Sequence, residues 1–147
     1  MSHNIDWSEQ SRREQRQKNL TSFGLLALRI GIGTLMLFAH GSPKLVSFST
    51  LAEQFPDPLG LGGPLSLVLA ILAEFFCSLA IAFGFLTRWA TIPPIILLLV
   101  AAFGVHGSDP FAEQELALVY LIPFIALAFA GPGRYSVDRL VFKRRVF

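Results

Sequence analysis

Polar side chains that can do chemistry interrupt two otherwise apolar segments of the chain. The first segment, LRIGIGTLMLFAHGSPKL, carries Arg29 near its start and His40 and Lys44 near its end. The second, AILAEFFCSLAIAFGFLTR, carries Glu74. A guanidinium pairs with a carboxylate, and an imidazole exchanges protons near neutral pH. These residue types therefore point to an interior ion pair and to a polar ligand site.

Helical spacing predicts how the ion pair forms. Arg29, Gly33, Met36 and His40 share one face of the first helix. Arg29 and Glu74 lie roughly 13 and 18 Å from the same membrane surface at 1.5 Å per residue, so adjacent antiparallel helices bring the two charges together. Pairing lowers the cost of an ion in hydrocarbon. The pair either only fixes helix register, or leaves Glu74 as a proton-exchanging or ligand-contacting carboxylate that Arg29 tunes.

A second set of side chains is predicted to contact a ligand headgroup. His40 and His106 fall at corresponding ends of two apolar segments, Lys44 follows His40 by one turn, and Tyr120 offers a hydroxyl to the same interior. Such groups bind carbonyl and hydroxyl oxygens, and a quinone presents two carbonyls on an apolar ring that takes up protons on reduction. The alternative is that both histidines are merely hydrogen-bonded polar ends of helices.

Composition argues against several other kinds of protein. The single cysteine, Cys77, allows no intrachain disulfide, and the three histidines lack metal-ligand spacing, so no metal site is predicted. The chain has no Gly-rich phosphate loop and no signature for haem, flavin or iron–sulfur. The net charge of +2 is too small to indicate a nucleic-acid binder.

Four apolar blocks approach the roughly 20 residues that a helix needs to cross a bilayer. They cover about 20–40, 64–86, 89–106 and 116–131, the last with an extension back toward Glu113. The alternative, a soluble helical bundle, is disfavoured because these blocks lack polar faces. The sequence therefore predicts an all-α, polytopic membrane protein, built as an antiparallel bundle of four transmembrane helices.

The basic residues predict the orientation of this bundle. Ten of the 12 Lys and Arg fall on one side of the four spans: Arg12, Arg13, Arg16, Lys18, Arg88, Arg134, Arg139, Lys143, Arg144 and Arg145. The positive-inside rule then places both termini in the cytoplasm. Residues 1–19 are a polar N-terminal tail, 20–142 form the transmembrane domain and 143–147 are a basic C-terminal end.

The loop between the first two spans is predicted to hold a short interfacial helix. Phe48, Leu51, Ala52 and Phe55 recur at helical spacing in SFSTLAEQF, a stretch that is flanked by prolines. An amphipathic helix of this kind lies along the membrane surface with its apolar face buried. At this position it would form a lid over the mouth of the bundle.

The chain resembles the DoxX family of small four-helix membrane proteins over about residues 20–142. The resemblance rests on the two segments quoted above and on GPGRYSVDRL just after the fourth span, in that order and spacing. It implies a multi-pass protein of the bacterial or archaeal plasma membrane. The family takes its name from a subunit of a thiosulfate:quinone oxidoreductase, and other members are linked to membrane-anchored oxidative-stress complexes.

The function expected from this resemblance is a quinone-interacting membrane subunit of an oxidoreductase or oxidative-stress complex. Any enzymatic role is then at most that of a quinone-linked subunit, and a quinone is the implied cofactor. One alternative is a non-catalytic scaffold that docks a soluble redox enzyme through its basic ends. A transporter of a small molecule or lipid is less favoured, because no inverted repeat is visible. The sequence does not fix the subunit number, and a homo-oligomer stays an alternative.

Overall fold

The structure, a computed structural model, describes residues 7–142. The predicted basic end at 143–147 and the first six residues of the tail lie outside the described residues. Within 7–142 there are four helices long and apolar enough to cross a membrane, and no strand. The predicted all-α, polytopic membrane fold is confirmed.

Span 1 is longer than predicted. It runs as an α-helix from Trp7 to Met36, continues as a π-helix over Leu37–Gly41 and ends with an α-helical turn and a half, Ser42–Val46. The helix begins before the predicted start of the apolar block at Leu20, because the polar residues ahead of Leu20 are mostly good helix formers without Pro or Gly. Residues 8–20 are therefore an exposed helical extension of the span rather than a separate tail.

The other three spans lie close to their predicted positions. Span 2 covers Gly63–Phe83, span 3 covers Thr87–Val105 and span 4 covers Phe111–Ala130. Span 4 begins at the residue after Pro110, earlier than the apolar block, because the acidic and amide residues of its first turns continue the helix. A short final helix, Val137–Val141, follows span 4.

The predicted interfacial helix between spans 1 and 2 is present. An α-helical turn, Phe48–Leu51, continues as a 3₁₀ turn, Ala52–Gln54. Ala52 is buried in a small apolar cluster with Leu67 and Ile71 of span 2. The interfacial helix therefore packs over the start of span 2 instead of lying free on the surface.

Spans 1 and 2 form one closely packed hairpin, and spans 3 and 4 form a second. Glycines set the register of the first hairpin, because a Cβ built on Gly33 would lie 2.8 Å from Ser78 O and one on Gly41 would lie 2.8 Å from Glu74 O. Side chains from both hairpins meet in a core that includes Met36, Ile81 and Phe124. Large apolar residues such as Phe129, 81% exposed, form the outer surface that hydrocarbon would cover.

The two ends of the bundle differ in character. The basic end contains Arg88 in the first turn of span 3, and Arg134 in the segment after span 4. The mouth is the opposite end, where residues 47–62 and 106–110 connect the spans. This distinction matters because the polar side chains of the spans separate into two groups, one at each end.

Candidate functional site

A cavity of about 580 Å³ lies at the mouth between the two hairpins. Its walls come from all four spans, and residues 55–61 of the connecting loop form its roof. The volume falls within the range of small-molecule sites, which are mostly apolar with a few polar groups that orient the ligand. Five polar side chains identified in the sequence line this cavity: His40, Lys44, Glu74, His106 and Tyr120.

An ion pair forms the polar wall of the cavity. Lys44 Nζ donates a 2.6 Å hydrogen bond to Glu74 Oε2, joining span 1 to span 2. The side chains are 21% and 10% exposed respectively, so the pair is largely withdrawn from solvent yet still borders the cavity. A charged pair in these surroundings needs both partners, because either one alone is a poorly solvated ion.

A ring contact forms the adjoining wall. The His40 and Tyr120 rings meet edge to face, with centroids 5.2 Å apart and planes at 87°. This geometry joins span 1 to span 4 and is a favoured arrangement of two aromatic systems. Since both rings border the cavity, they present an imidazole and a phenol group to one enclosed apolar volume.

The predicted ion pair between Arg29 and Glu74 is wrong. Glu74 of span 2 packs beside Gly41 of span 1. Gly41 is twelve residues from Arg29 along span 1, so Arg29 and Glu74 lie about 18 Å apart along the axis of the bundle. Arg29 is 0% exposed at the basic end, where its Nη2 donates to Tyr135 O at 2.5 Å. Its Nε and Nη1 atoms have no hydrogen-bond partner among the described residues.

The turn around Arg29 is held by a carboxylate that the sequence analysis gave no role. Asp138 accepts hydrogen bonds from Leu86 N at 2.6 Å and from Thr87 N at 3.0 Å. These bonds stabilise Leu86 in a left-handed conformation, with φ of 47°, which is unfavourable for a branched side chain. Asp138 N in turn donates to Gly84 O at 2.9 Å. The basic end is thus closed by a polar network distinct from the cavity.

Three π-helical segments converge on the cavity. They are Leu37–Gly41 in span 1, Leu72–Cys77 in span 2 and Val100–Val105 in span 3. Each contributes lining side chains, among them His40 and Glu74. Because π-helical turns are frequently found at functional sites, their clustering here supports the assignment of the site to the mouth.

His106, the second histidine in the cavity lining, borders both the cavity and the solvent. His106 Nδ1 lies 2.9 Å from Asp109 Oδ2, and Gln114 Nε2 donates to the carbonyls of both residues. With Asp109 ionised, the proton of the imidazole is held on Nδ1 and Nε2 is left as an acceptor. The described residues contain no cluster of three His, Cys, Asp or Glu side chains that could hold a metal ion.

The roof of the cavity is ordered by Asp57. Its carboxylate accepts from Gly62 N at 2.7 Å, Leu61 N at 2.8 Å and Ser66 Oγ at 2.9 Å. The Gly62 bond is the largest cause that lowers the pKa of the Asp57 carboxyl below its usual value. The loop 55–62 is therefore tied to the first turn of span 2.

Comparison with known proteins gives the family. The DoxX family model matches residues 24–107. The chain is 36% identical to the inner membrane protein YqjF of Escherichia coli (strain K12), over 86% of this chain and 98% of that protein. It is 29% identical to an uncharacterized membrane protein, Rv3486, of Mycobacterium tuberculosis, over 74% of this chain and 88% of that protein. No solved structure matches significantly.

This chain is an integral membrane protein of the DoxX family. The matched region spans the Arg29 face, the Glu74 segment and the first three spans, and therefore most of the cavity walls. The names of these relatives describe membrane location and no activity. What the cavity binds has to be argued from its own geometry.

Proposed function

We propose that the mouth cavity binds the headgroup of a quinone, and that the protein is the membrane subunit of a quinone-linked oxidoreductase or oxidative-stress complex. One observation carries the proposal. A largely apolar volume of about 580 Å³ has His40, Lys44, Glu74 and Tyr120 together on its polar wall. A flat apolar ring with polar oxygens at its edge matches that distribution of groups.

The residues present fit such a ring. Lys44 and Tyr120 supply hydrogen-bond donors for carbonyl oxygens, and the Glu74 carboxylate supplies an acceptor for hydroxyl groups. His40 is a donor or an acceptor according to its tautomer. When bound, a quinone supplies a carrier of two electrons and two protons. The chain's own groups then hold the ring and exclude water from it.

The His106–Asp109 pair provides the proton connection in this proposal. His106 borders the cavity and its side chain is 38% exposed, so one residue contacts both the ligand volume and the solvent beyond the mouth. Asp109 holds the Nδ1 proton, and Nε2 exchanges protons with water or with a hydroxyl group. Protons would therefore pass between the cavity and the solvent at the mouth.

The proposal includes an orientation in a bacterial or archaeal plasma membrane. Within residues 7–142, every Lys and Arg except Lys44 lies toward the basic end, which the positive-inside rule assigns to the cytoplasm. The cavity then opens toward the outer leaflet. Electrons come from a partner redox enzyme, and the proposal is the same whichever side of the membrane that enzyme binds.

Quinone binding to the purified protein in lipid nanodiscs tests the proposal. We expect binding by the wild type and a loss of about tenfold or more in Tyr120→Phe and His40→Ala, with unchanged thermal stability. Tyr135→Phe is the matched control, because the Tyr135 side chain is exposed at the basic end. Failure of the wild type to bind any quinone, or equal affinity in all variants, would contradict a headgroup site at the mouth.

A scaffold is the second candidate function. The observation that favours it is the exposed helical extension of span 1, which carries Arg12, Arg13, Arg16 and Lys18 beyond the basic end. A basic helix of this kind is suited to an acidic surface on a soluble redox enzyme. Capture of such an enzyme by the wild type, lost on reversing the charges of Arg12 and Arg16 while quinone binding persists, would support this role.

A further inference from the structure

We infer that the ligand enters the mouth cavity sideways from the membrane, through a gap between spans 2 and 3, with its hydrocarbon tail left in that gap. The inference rests on the proposed function and specifies the ligand class. That class is a neutral headgroup carried on a long apolar tail, rather than a water-soluble molecule that arrives from the mouth.

The gap is visible in residues that belong to two surfaces at once. Leu69 and Leu72 of span 2 and Ile96 of span 3 all line the cavity. They are also 43%, 46% and 55% exposed, so they form part of the outer surface of the bundle. A wall made of side chains that also face the lipid is an opening to the lipid, and its apolar character suits a hydrocarbon tail.

Packing between the hairpins explains where the gap lies. The main contact of spans 2 and 3 joins Leu72–Cys77 to Ile92–Leu99, deeper than the mouth. Toward the mouth, Val100–Val105 packs on span 4 instead, and the start of span 2 packs on the interfacial helix. The two hairpins therefore diverge between this contact and the mouth. Val100 is half-buried, lines the cavity and lies at the point where the hairpins diverge.

Contacts between elements cross the other sides of the cavity. The His40–Tyr120 ring contact bridges spans 1 and 4. Asp57 ties down the roof, and Pro58 lies against span 3, where a Cβ built on Gly104 would be 3.6 Å from it. The apolar core around Phe124, which is 0% exposed, fills the bundle below. Leu116 of span 4 also lines the cavity and is 56% exposed, but it lies five residues from the mouth end of its span, whereas Leu72 and Ile96 each lie nine residues from the mouth ends of theirs. The gap between spans 2 and 3 is thus where exposed lining residues lie deepest in the bundle.

The charges around the cavity favour a neutral headgroup. Lys44 is committed to Glu74, and Glu113 adds a further carboxylate to the lining. With the histidines neutral, these lining groups sum to a negative charge, and the cation among them is already paired. An anionic headgroup would have to compete with Glu74 for Lys44 in a site of low dielectric, which is unfavourable.

Matched valine-to-tryptophan variants test the route. Val100→Trp fills the gap, whereas Val119→Trp adds the same bulk on span 4 at a position that is 56% exposed and outside the lining. Each variant in nanodiscs is titrated with a polyprenyl-tailed benzoquinone, with its tail-less ring analogue and with a carboxylated ring analogue. Thermal stability of each variant is recorded to confirm folding.

We expect Val100→Trp to weaken the tailed quinone by about tenfold or more, and to weaken it at least about fivefold more than it weakens the tail-less ring. Val119→Trp should change the affinity for neither of these two ligands, and the carboxylated ring should bind the wild type at least about tenfold more weakly than the neutral ring.

Unchanged binding of the tailed quinone to a folded Val100→Trp variant overturns the side entrance but does not contradict the quinone site. Loss of both neutral ligands by the same factor in that variant overturns the assignment of the tail to this gap, and equal binding of the neutral and carboxylated rings to the wild type overturns the neutral headgroup. A wild type that binds no quinone refutes the proposed function itself, and the inference falls with it.

Discussion

Lys44 Nζ and Glu74 Oε2 are 2.6 Å apart, at the level where Gly41 brings the backbones of spans 1 and 2 into contact. The close approach and the ion pair support each other. The glycine allows the helices near enough for Lys44 to reach across, and the pair holds the wall of the cavity in place. We therefore expect that a substitution that disrupts the close approach also weakens the ion pair, and the reverse.

Breaking this ion pair on one side should destabilise the protein more than removing both charges. We expect Lys44→Met alone or Glu74→Gln alone to cost about 1–3 kcal/mol, because each leaves a poorly solvated polar group without its partner. The double variant should recover part of that loss. A double-mutant cycle on thermal unfolding in detergent measures the coupling, and strictly additive losses would show that the two side chains act independently.

Gly84 should be intolerant of any side chain. Its φ of +74° is left-handed, and a Cβ there would overlap Arg29 Nη1. Gly84→Ala is expected to lower stability by at least about 1–2 kcal/mol from the backbone term alone. Gly31→Ala is the matched control, since a Cβ on Gly31 meets nothing within 4 Å. A wild-type Tm for Gly84→Ala would contradict the packing of Arg29 against this turn.

Asp138→Asn should loosen the basic end. The aspartate accepts from two backbone amides and from Thr87 Oγ1 at 3.2 Å, and an asparagine has only one oxygen to replace the two. We expect a loss of about 1–3 kcal/mol, measured as a fall in Tm. Hydrogen exchange should show faster exchange at Leu86 and Thr87 and unchanged exchange in span 4 near Tyr120. Protection of both amides at the wild-type level would contradict the assigned role.

Asp57→Asn should weaken the roof in a pH-dependent way. Because the folded loop lowers the pKa of this carboxyl, its contribution to stability is present above the unfolded-state pKa and is lost as pH falls through the folded value. The wild type should therefore have the higher Tm near neutral pH, and the difference should shrink below about pH 4. Melting curves recorded across that pH range test this prediction. A difference in Tm that stays constant with pH would contradict a stabilising role for the ionised carboxylate.

Helical periodicity was sufficient to predict which side chains meet at the mouth. His40, Lys44 and His106 were expected at one end of the bundle and Tyr120 in its interior, and all four line the same cavity. The first three lie near span ends, which restricts their depth, so small errors in the helix boundaries do not matter. The fold follows with similar ease, since segments of about 20 apolar residues have few alternatives in a bilayer.

The partner of Glu74 was not predictable in the same way. Depth counted from assumed span ends placed Arg29 near Glu74, but the register depends on where Gly33 and Gly41 allow the backbones to approach. Two further features, the left-handed Leu86 and its tie to Asp138, depend on a contact across more than 50 residues of sequence. Local spacing contains no signal for a contact of that separation.

The length of span 1 has a mechanical consequence. The 39 residues from Ser8 to Val46 amount to about 58 Å of continuous helix, roughly twice the hydrocarbon thickness of a bilayer. The 13 exposed residues from Ser8 to Leu20 alone account for about 20 Å of this length. Arg134 Nη1 braces the base of that projection by donating to Asn19 Oδ1 at 2.7 Å. The first span is thus one long helix that projects from the membrane. A protein bound to the far end of this projection would be held at a fixed distance from the membrane surface.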